Sequence, residues 1–174
     1  MDILKEVESL EVLKTFDKYN KISEGNTNHW ARELVTTANK KFNGQWHLAE
    51  LTKEDALKIL LPWHNHGEKV NLVPKTGMTV QAAANYFKKN ATEYKKENPK
   101  CHAKIIMFSE KEITEPLFLS TAPLTGCDKI EHEKLHYTDK SLVHLDGLHR
   151  LIAWAINDKF SNSKIKVFIC GPLL

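Results

Sequence analysis

The chain has 174 residues, of which 41% are hydrophobic and 27% charged, with a formal net charge of +3. That length fits one domain, or one domain with a helical extension, and can bury a sizeable core. The charge lacks the basic bias of a nucleic-acid binder, no apolar run approaches a membrane span, and Cys101, Cys127 and Cys170 without a C-x-x-C pair make neither a disulfide framework nor a zinc ribbon.

The opening Met1-Asp2-Ile3-Leu4-Lys5-Glu6 is charged and lacks the apolar core of a secretion signal, so a cytoplasmic protein with reduced thiols is expected. Residues 2–20 predict an amphipathic helix, with Ile3, Val7, Leu10, Leu13 and Phe16 on one face. Asn20 to Asn28 is polar and reads as a loop. Trp30 to Phe42 predicts a second helix, with Trp30, Leu34, Ala38 and Phe42 in register and Thr27 or Asn28 as cap. Residues 1–43 are thus expected to form an N-terminal helical extension to a domain spanning 44–174.

Gln45 to Leu51 alternates loosely and predicts a strand. Thr52 with Asp55 three residues on is a capping box opening a short helix, with Leu57, Leu60 and Leu61 as its buried side and Pro62 as its end. Trp63 to Gly77 is a loop rich in Asn, His, Gly and Pro, long enough to suggest a covering role. Thr79 then caps a helix running to about Lys96, with Val80, Ala83, Ala84, Phe87 and Ala91 on one face.

Ser141 to Asn157 organises the rest of the chain. Leu142, Val143 and Leu145 suit a buried strand, Asp146-Gly147 a tight turn, and Leu151, Ile152, Ala155 and Ile156 one face of a helix. A strand, glycine turn and helix aim the helix's unsatisfied N–H groups and positive end at the space above the turn, which favours an anion. Arg150, in the first helical turn, gains nothing from the dipole and needs an anionic partner, either a two-pronged phosphate or a surface carboxylate. His149 can donate to phosphate or act as acid or base. Gly147 permits close backbone approach, and Asp146 can hold Mg²⁺, accept a proton, or simply form the turn.

Asp146-Gly147-Leu148-His149-Arg150, followed by a helix containing Ala153, resembles the Gly-x-His-Arg or Asp-Gly-x-x-Arg box of the ParB/sulfiredoxin-like superfamily, over roughly Gly44 to Gly171 with a gap. The resemblance implies an α+β fold, a small mixed β-sheet flanked by helices. It places the second strand at His102 to Phe108 and a closing strand at Ile165 to Cys170. Residues of about 110–140 then stand out as an insertion, expected to cover the substrate. In that superfamily the turn binds nucleotide phosphates, and its members include sulfinic-acid reductases, CTP-binding partition proteins and small-molecule kinases. The reductases carry a Cys where this chain has Leu148, and the partition proteins carry a helix-turn-helix after the box that is not expected here.

What the resemblance implies, closest to the kinase branch, is a nucleotide-dependent phosphotransferase acting on a small polar molecule. ATP or ADP, or CTP, would be bound with Mg²⁺ by Gly147, Leu148, His149 and Arg150, the metal by Asp146. Asp146 and His149 are the catalytic candidates, with Glu50 as base by analogy to an acidic residue early in the kinase domain; Glu54 and Asp55 compete for that role. A non-catalytic nucleotide-binding module is the alternative. A third reading is a zinc hydrolase, because His132-Glu133-Lys134-Leu135-His136 satisfies H-E-x-x-H, although without an apolar helix or an evident third ligand. His64 and His66 form an H-x-H pair that can also ligate a metal.

Overall fold

Asp2–Val7 forms an edge strand, β1, where the apolar spacing predicts a helix. It pairs antiparallel with β2 (Trp46–Leu51), from Asp2 opposite Glu50 to Val7 opposite Trp46. The ladder satisfies the backbone groups of β2's outer edge, which a helix over the same residues would leave open. The first helix, α1 (Ser9–Tyr19), therefore starts later and buries Val12 and Phe16, while Leu10 is exposed. The computed structural model describes residues 1–23, 28–64, 71–124, 132–138, 141–162 and 164–173.

The architecture is α+β, as expected: among the described residues, a mixed sheet of seven strands with six α-helices. After α2 (Asn28–Lys41) and β2 come α3 (Lys53–Lys58), β3 (Leu60–Leu61), β4 (Met78–Thr79), α4 (Val80–Glu97), α5 (Pro99–Glu110), β5 (Leu117–Ser120), β6 (Val143–Asp146), α6 (Leu148–Ile156) and β7 (Ile165–Cys170). The strand order is β1-β2-β7-β5-β6-β3-β4. β5 runs parallel to β7, and β3 parallel to β6; the other neighbours are antiparallel.

Alternate residues of the central strands bury opposite faces of the sheet. Ala49, Leu51, Leu117, Leu119, Val167 and Ile169 pack with residues of α4, α5 and α6, among them Phe87, Ile105 and Leu151. Trp46, Phe118, Leu145 and Phe168 face the other way, onto Val12, Phe16, Leu34 and Val35 of α1 and α2. Fully burying each such aromatic or aliphatic side chain contributes about 1.5–3 kcal/mol. Arg32 clamps α2 to α1 through both carboxylate oxygens of Asp17, at 2.6 and 3.2 Å.

Several local expectations hold. Thr52 and Asp55 make the reciprocal capping box, and Thr79 caps α4 by accepting from the Ala82 N–H at 3.2 Å. Others are corrected. Leu60 and Leu61 belong to β3, not to the face of α3, because the helix ends at Lys58 and Leu60 pairs with β6. His102 to Phe108 is helical: Pro99 opens α5, and Cys101, Ile105 and Ser109 are buried at four-residue spacing while Ile106 and Met107 are exposed. The strand that precedes β6 in the chain and pairs with it is instead β5, every residue of which is buried. Part of the 110–140 segment is thus the centre of the sheet and no covering insertion; residues 125–131, 139 and 140 lie outside the described residues. Among the described residues, no helix is long and apolar enough to cross a membrane.

Candidate functional site

The β6–α6 turn has the form its sequence predicts. Gly147 sits at the N-cap of α6 with φ +103°, a left-handed conformation that costs other residues energy. A Cβ there would also collide with Leu117 of β5 and press on the Arg150 guanidinium, so two independent constraints require glycine. No side chain caps the helix start, and the Leu151 N–H is the first to bond back, to the Gly147 carbonyl at 2.9 Å.

Arg150 does not project outward as a phosphate ligand would. It is 4% exposed and lies behind the turn. Its Nη2 donates to Asp146 Oδ2 at 2.5 Å, and its Nη1 donates to Glu115 Oε2 at 2.8 Å and to the Pro116 carbonyl at 3.3 Å. The partner that an arginine at a helix start requires is therefore supplied by two carboxylates of the chain. Arg150 fixes the turn against the segment entering β5 and sets the direction of both carboxylates.

A cavity of about 600 Å³ opens over this turn. Gly147, Leu148, His149, Asp146, His144 and Arg150 line its floor. Lys104 of α5, Lys111 at the C-cap of α5, Glu115, Trp63, and Trp30 of α2 form its walls. His144, on β6, is 7% exposed, and neither of its ring nitrogens has a hydrogen-bond partner among the described residues. Burial, then the neighbouring His132, Arg150 and His149, push its pKa down to about 3, so it is neutral. His132 is also buried; its Nδ1 accepts from the Leu124 N–H at 3.1 Å, and burial lowers its pKa to about 4.

At the edge of the same cavity three residues from three elements converge. His64 follows β3, and its backbone N–H is held by the Val73 carbonyl at 3.2 Å. Cys101 lies in the first turn of α5 and His149 in the first turn of α6. Their ligand atoms lie within 4.8 Å of one another. Cys101 Sγ is 3.9 Å from His64 Nε2, and the His64 and His149 rings meet edge to face at 4.9 Å between centroids. Burial pushes the Cys101 thiol up, with the Tyr94 hydroxyl and Lys104 acting in the opposite sense.

The other residues singled out by sequence fall elsewhere. Glu50 is on β2 beside Lys166 of β7, takes an ion pair from Lys164 at 2.9 Å, and is not part of the cavity wall. Strand alternation puts it on the α1–α2 face with Trp46 and Leu48, and β7 and β5 stand between β2 and β6, so it does not meet the turn as a base. Glu54 and Asp55 belong to α3, where Asp55 serves the capping box. His132 to His136 is turn and coil, with His132 buried and Glu133 and His136 exposed, so the residues do not share the helix face that a zinc H-E-x-x-H needs. His66 lies outside the described residues.

A family model matches residues 1–174, the whole chain; its description is "Family of unknown function (DUF6309)". The chain belongs to that family. No curated protein and no solved structure matches it.

Lys104, Lys111, Cys101 and Glu115 are functional candidates that the sequence reading passed over. Reading 102–108 as a strand hid the first three, because only a helix from Pro99 places Cys101 and Lys104 along one side, with Lys111 at its C-cap. The usable signal was Asn98-Pro99, a helix opening immediately before them. Glu115 gave no local signal, since its pairing with Arg150 spans 35 residues.

Proposed function

We propose that the cavity over Asp146 to Arg150 binds the phosphates of a nucleotide, ATP or ADP with CTP as a further candidate. On this reading the protein is a cytoplasmic phosphotransferase acting on a small polar molecule. The observation that carries the reading is the uncapped start of α6, reached through a left-handed Gly147, on the floor of a cavity of about 600 Å³ with Lys104 and Lys111 in its wall. Backbone N–H groups at a helix start, a glycine permitting close approach and flexible ammonium groups are what a polyphosphate needs. The volume is in the range of small-molecule sites, and Trp30 and Trp63 offer flat apolar surface to a base. His144, buried in the floor with its ring nitrogens unpaired among the described residues, calls for a polar ligand or water.

The likeness to the ParB/sulfiredoxin-like superfamily supports the same reading. The order helix, second strand, box, closing strand is present once β5 takes the place of the second strand. Asp146 and Glu115, both oriented by Arg150, are the carboxylates able to hold Mg²⁺ against the phosphates, an ion usually bound through one or two carboxylates plus substrate. In the transfer, an acceptor oxygen bonds to the terminal phosphorus, the bond to the bridging oxygen breaks, and the acceptor's proton passes to a base. His149 fills that role in place of Glu50.

Thermal unfolding with ATP, ADP and CTP, with and without Mg²⁺, tests binding, because a ligand of the native state raises its stability. Stabilisation by at least one nucleotide at millimolar concentration is expected, and none by any of the three refutes the reading. Transfer of labelled phosphate to small hydroxyl compounds then separates a kinase from a non-catalytic nucleotide-binding module.

A further inference from the structure

We propose that His64, Cys101 and His149 form a site for a transition-metal ion of the zinc class, with its fourth position open to the cavity. The site goes beyond the nucleotide reading and does not rest on it; a metal-bound His149 cannot also take the acceptor's proton, so with the ion in place that role passes to Asp146. Among the described residues, this is the one place where three such ligand atoms converge. Two imidazoles and a thiolate are the ligands zinc takes, whereas Mg²⁺ and Ca²⁺ require oxygen.

The distances suit a single ion. A tetrahedral zinc with Zn–S of about 2.3 Å and Zn–N of about 2.0–2.1 Å sets sulfur and nitrogen roughly 3.5 Å apart. Cys101 Sγ and His64 Nε2 are 3.9 Å apart, so a small rotation of either side chain closes the gap. The three ligands come from separate elements that the core fixes independently: Cys101 is buried with Ile105 and Tyr94, and His149 follows the buried Leu148. Tyr94 is buried in the same cluster as Cys101, where a neighbouring hydroxyl can give the outer support that metal-bound thiolates commonly have.

Three protein ligands are the number found in catalytic zinc sites, which keep a position for water or substrate. His64 and His149 both line the cavity, so a fourth ligand enters from that side. Binding releases the Cys101 Sγ–H proton to solvent, and the ion plus one thiolate leaves a net charge of +1 beside the α6 start. A Cys–His nucleophile is the competing use of these residues. It needs an accessible thiol, whereas Cys101 is buried among apolar side chains.

The test is a Co²⁺ titration of chelator-treated full-length protein, without nucleotide, followed by absorption. One equivalent should bind with a thiolate-to-cobalt charge-transfer band that zinc abolishes by displacement. Cys101→Ser should remove the band, and His64→Ala and His149→Ala should each weaken binding at least tenfold. A Cys127→Ser/Cys170→Ser variant, in which Cys101 is the one remaining cysteine, should keep the band. His136→Ala should leave the titration unchanged. Absence of the band in the folded parent overturns the proposal, as does its survival in Cys101→Ser, its loss in the Cys127→Ser/Cys170→Ser variant while that variant stays folded, or its loss in His136→Ala. Should Cys101→Ser fail to fold, the parent and the Cys127→Ser/Cys170→Ser variant still decide. Because no nucleotide is present, failure here leaves the phosphate reading standing, and failure of nucleotide binding leaves this site standing.

Discussion

Arg150 reaches back one helical turn to Asp146, Nη2 to Oδ2 at 2.5 Å, and in doing so closes the base of the segment where strand, glycine and helix meet over the cavity. The sequence has Arg150 meeting either a phosphate or a surface carboxylate. In the structure the guanidinium is buried and also holds Glu115 at 2.8 Å. Removing one partner of a buried ion pair leaves the other without compensation, which typically costs 3–5 kcal/mol. Glu115 is 38% exposed and regains water more readily than Asp146, so Arg150→Ala should cost about 3 kcal/mol, the low end of that range. Denaturant unfolding reads this directly, and a loss below about 1 kcal/mol would show that the network behaves as a surface pair.

Gly147→Ala should be destabilising for two separable reasons. The left-handed conformation at φ +103° costs an L-residue about 1–2 kcal/mol. The added methyl also meets Leu117 Cδ2 and the guanidinium of Arg150, within a strand pair that has little room to yield. Leu117→Ala in the same chain should recover the second part and not the first, apart from its own cavity cost. A double-mutant cycle measured by chemical denaturation separates them, and full additivity would mean that the methyl and Leu117 do not meet.

The turn itself was legible because its signals are local: apolar residues at strand spacing, Asp146-Gly147, then Leu151, Ile152 and Ala155 at helical spacing. The capping box at Thr52 and the Thr79 cap were readable for the same reason. What failed depends on partners distant in sequence. Asp2–Val7 is a strand because β2 offers it an open edge, and five of its six residues are exposed, so no burial pattern marks it. His102 to Phe108 is apolar enough for either state, and Pro99 with burial at Cys101 and Ile105 decides for helix. Arg150 was read as half of a protein–ligand pair, since Glu115 lies 35 residues away and no periodicity links the two.

Lys104 and Lys111 supply the test of phosphate binding that Arg150 cannot, since they line the cavity from α5 and its C-cap and neither belongs to the Arg150 network. Each charge-assisted contact to a phosphate is worth roughly 1.5–3 kcal/mol, or about a tenfold to hundredfold change in Kd. Lys104→Ala and Lys111→Ala should weaken nucleotide binding by such factors with little change in the unfolding midpoint, and binding should fall as salt is raised. Equal affinity in both variants and the parent, measured by calorimetry, would place the phosphates elsewhere.

Acid should destabilise the fold earlier than its carboxylates would predict, through His132 and His144. Burial is the first cause for both. Lys41 adds to it at His132, with the His144 backbone acting in the opposite sense, while His132, Arg150 and His149 add to it at His144. In the folded state their pKa values are lowered to about 4 and about 3, while the unfolded histidines titrate near 6.5. Below about pH 6.5 the unfolded chain therefore binds more protons than the native one, so stability falls as pH falls. The contribution is fully present above about pH 6.5 and is lost progressively towards pH 4 for His132 and pH 3 for His144. The slope within that window is up to about 1.4 kcal/mol per pH unit for each histidine. His132→Asn keeps an acceptor for the Leu124 N–H and removes one titrating group, so its stability between pH 7 and pH 4.5 should decline about half as steeply as the parent's. Urea unfolding at intervals across that range gives both slopes, and equal slopes in parent and variant would mean that His132 takes up its proton in the folded protein as freely as in the unfolded chain.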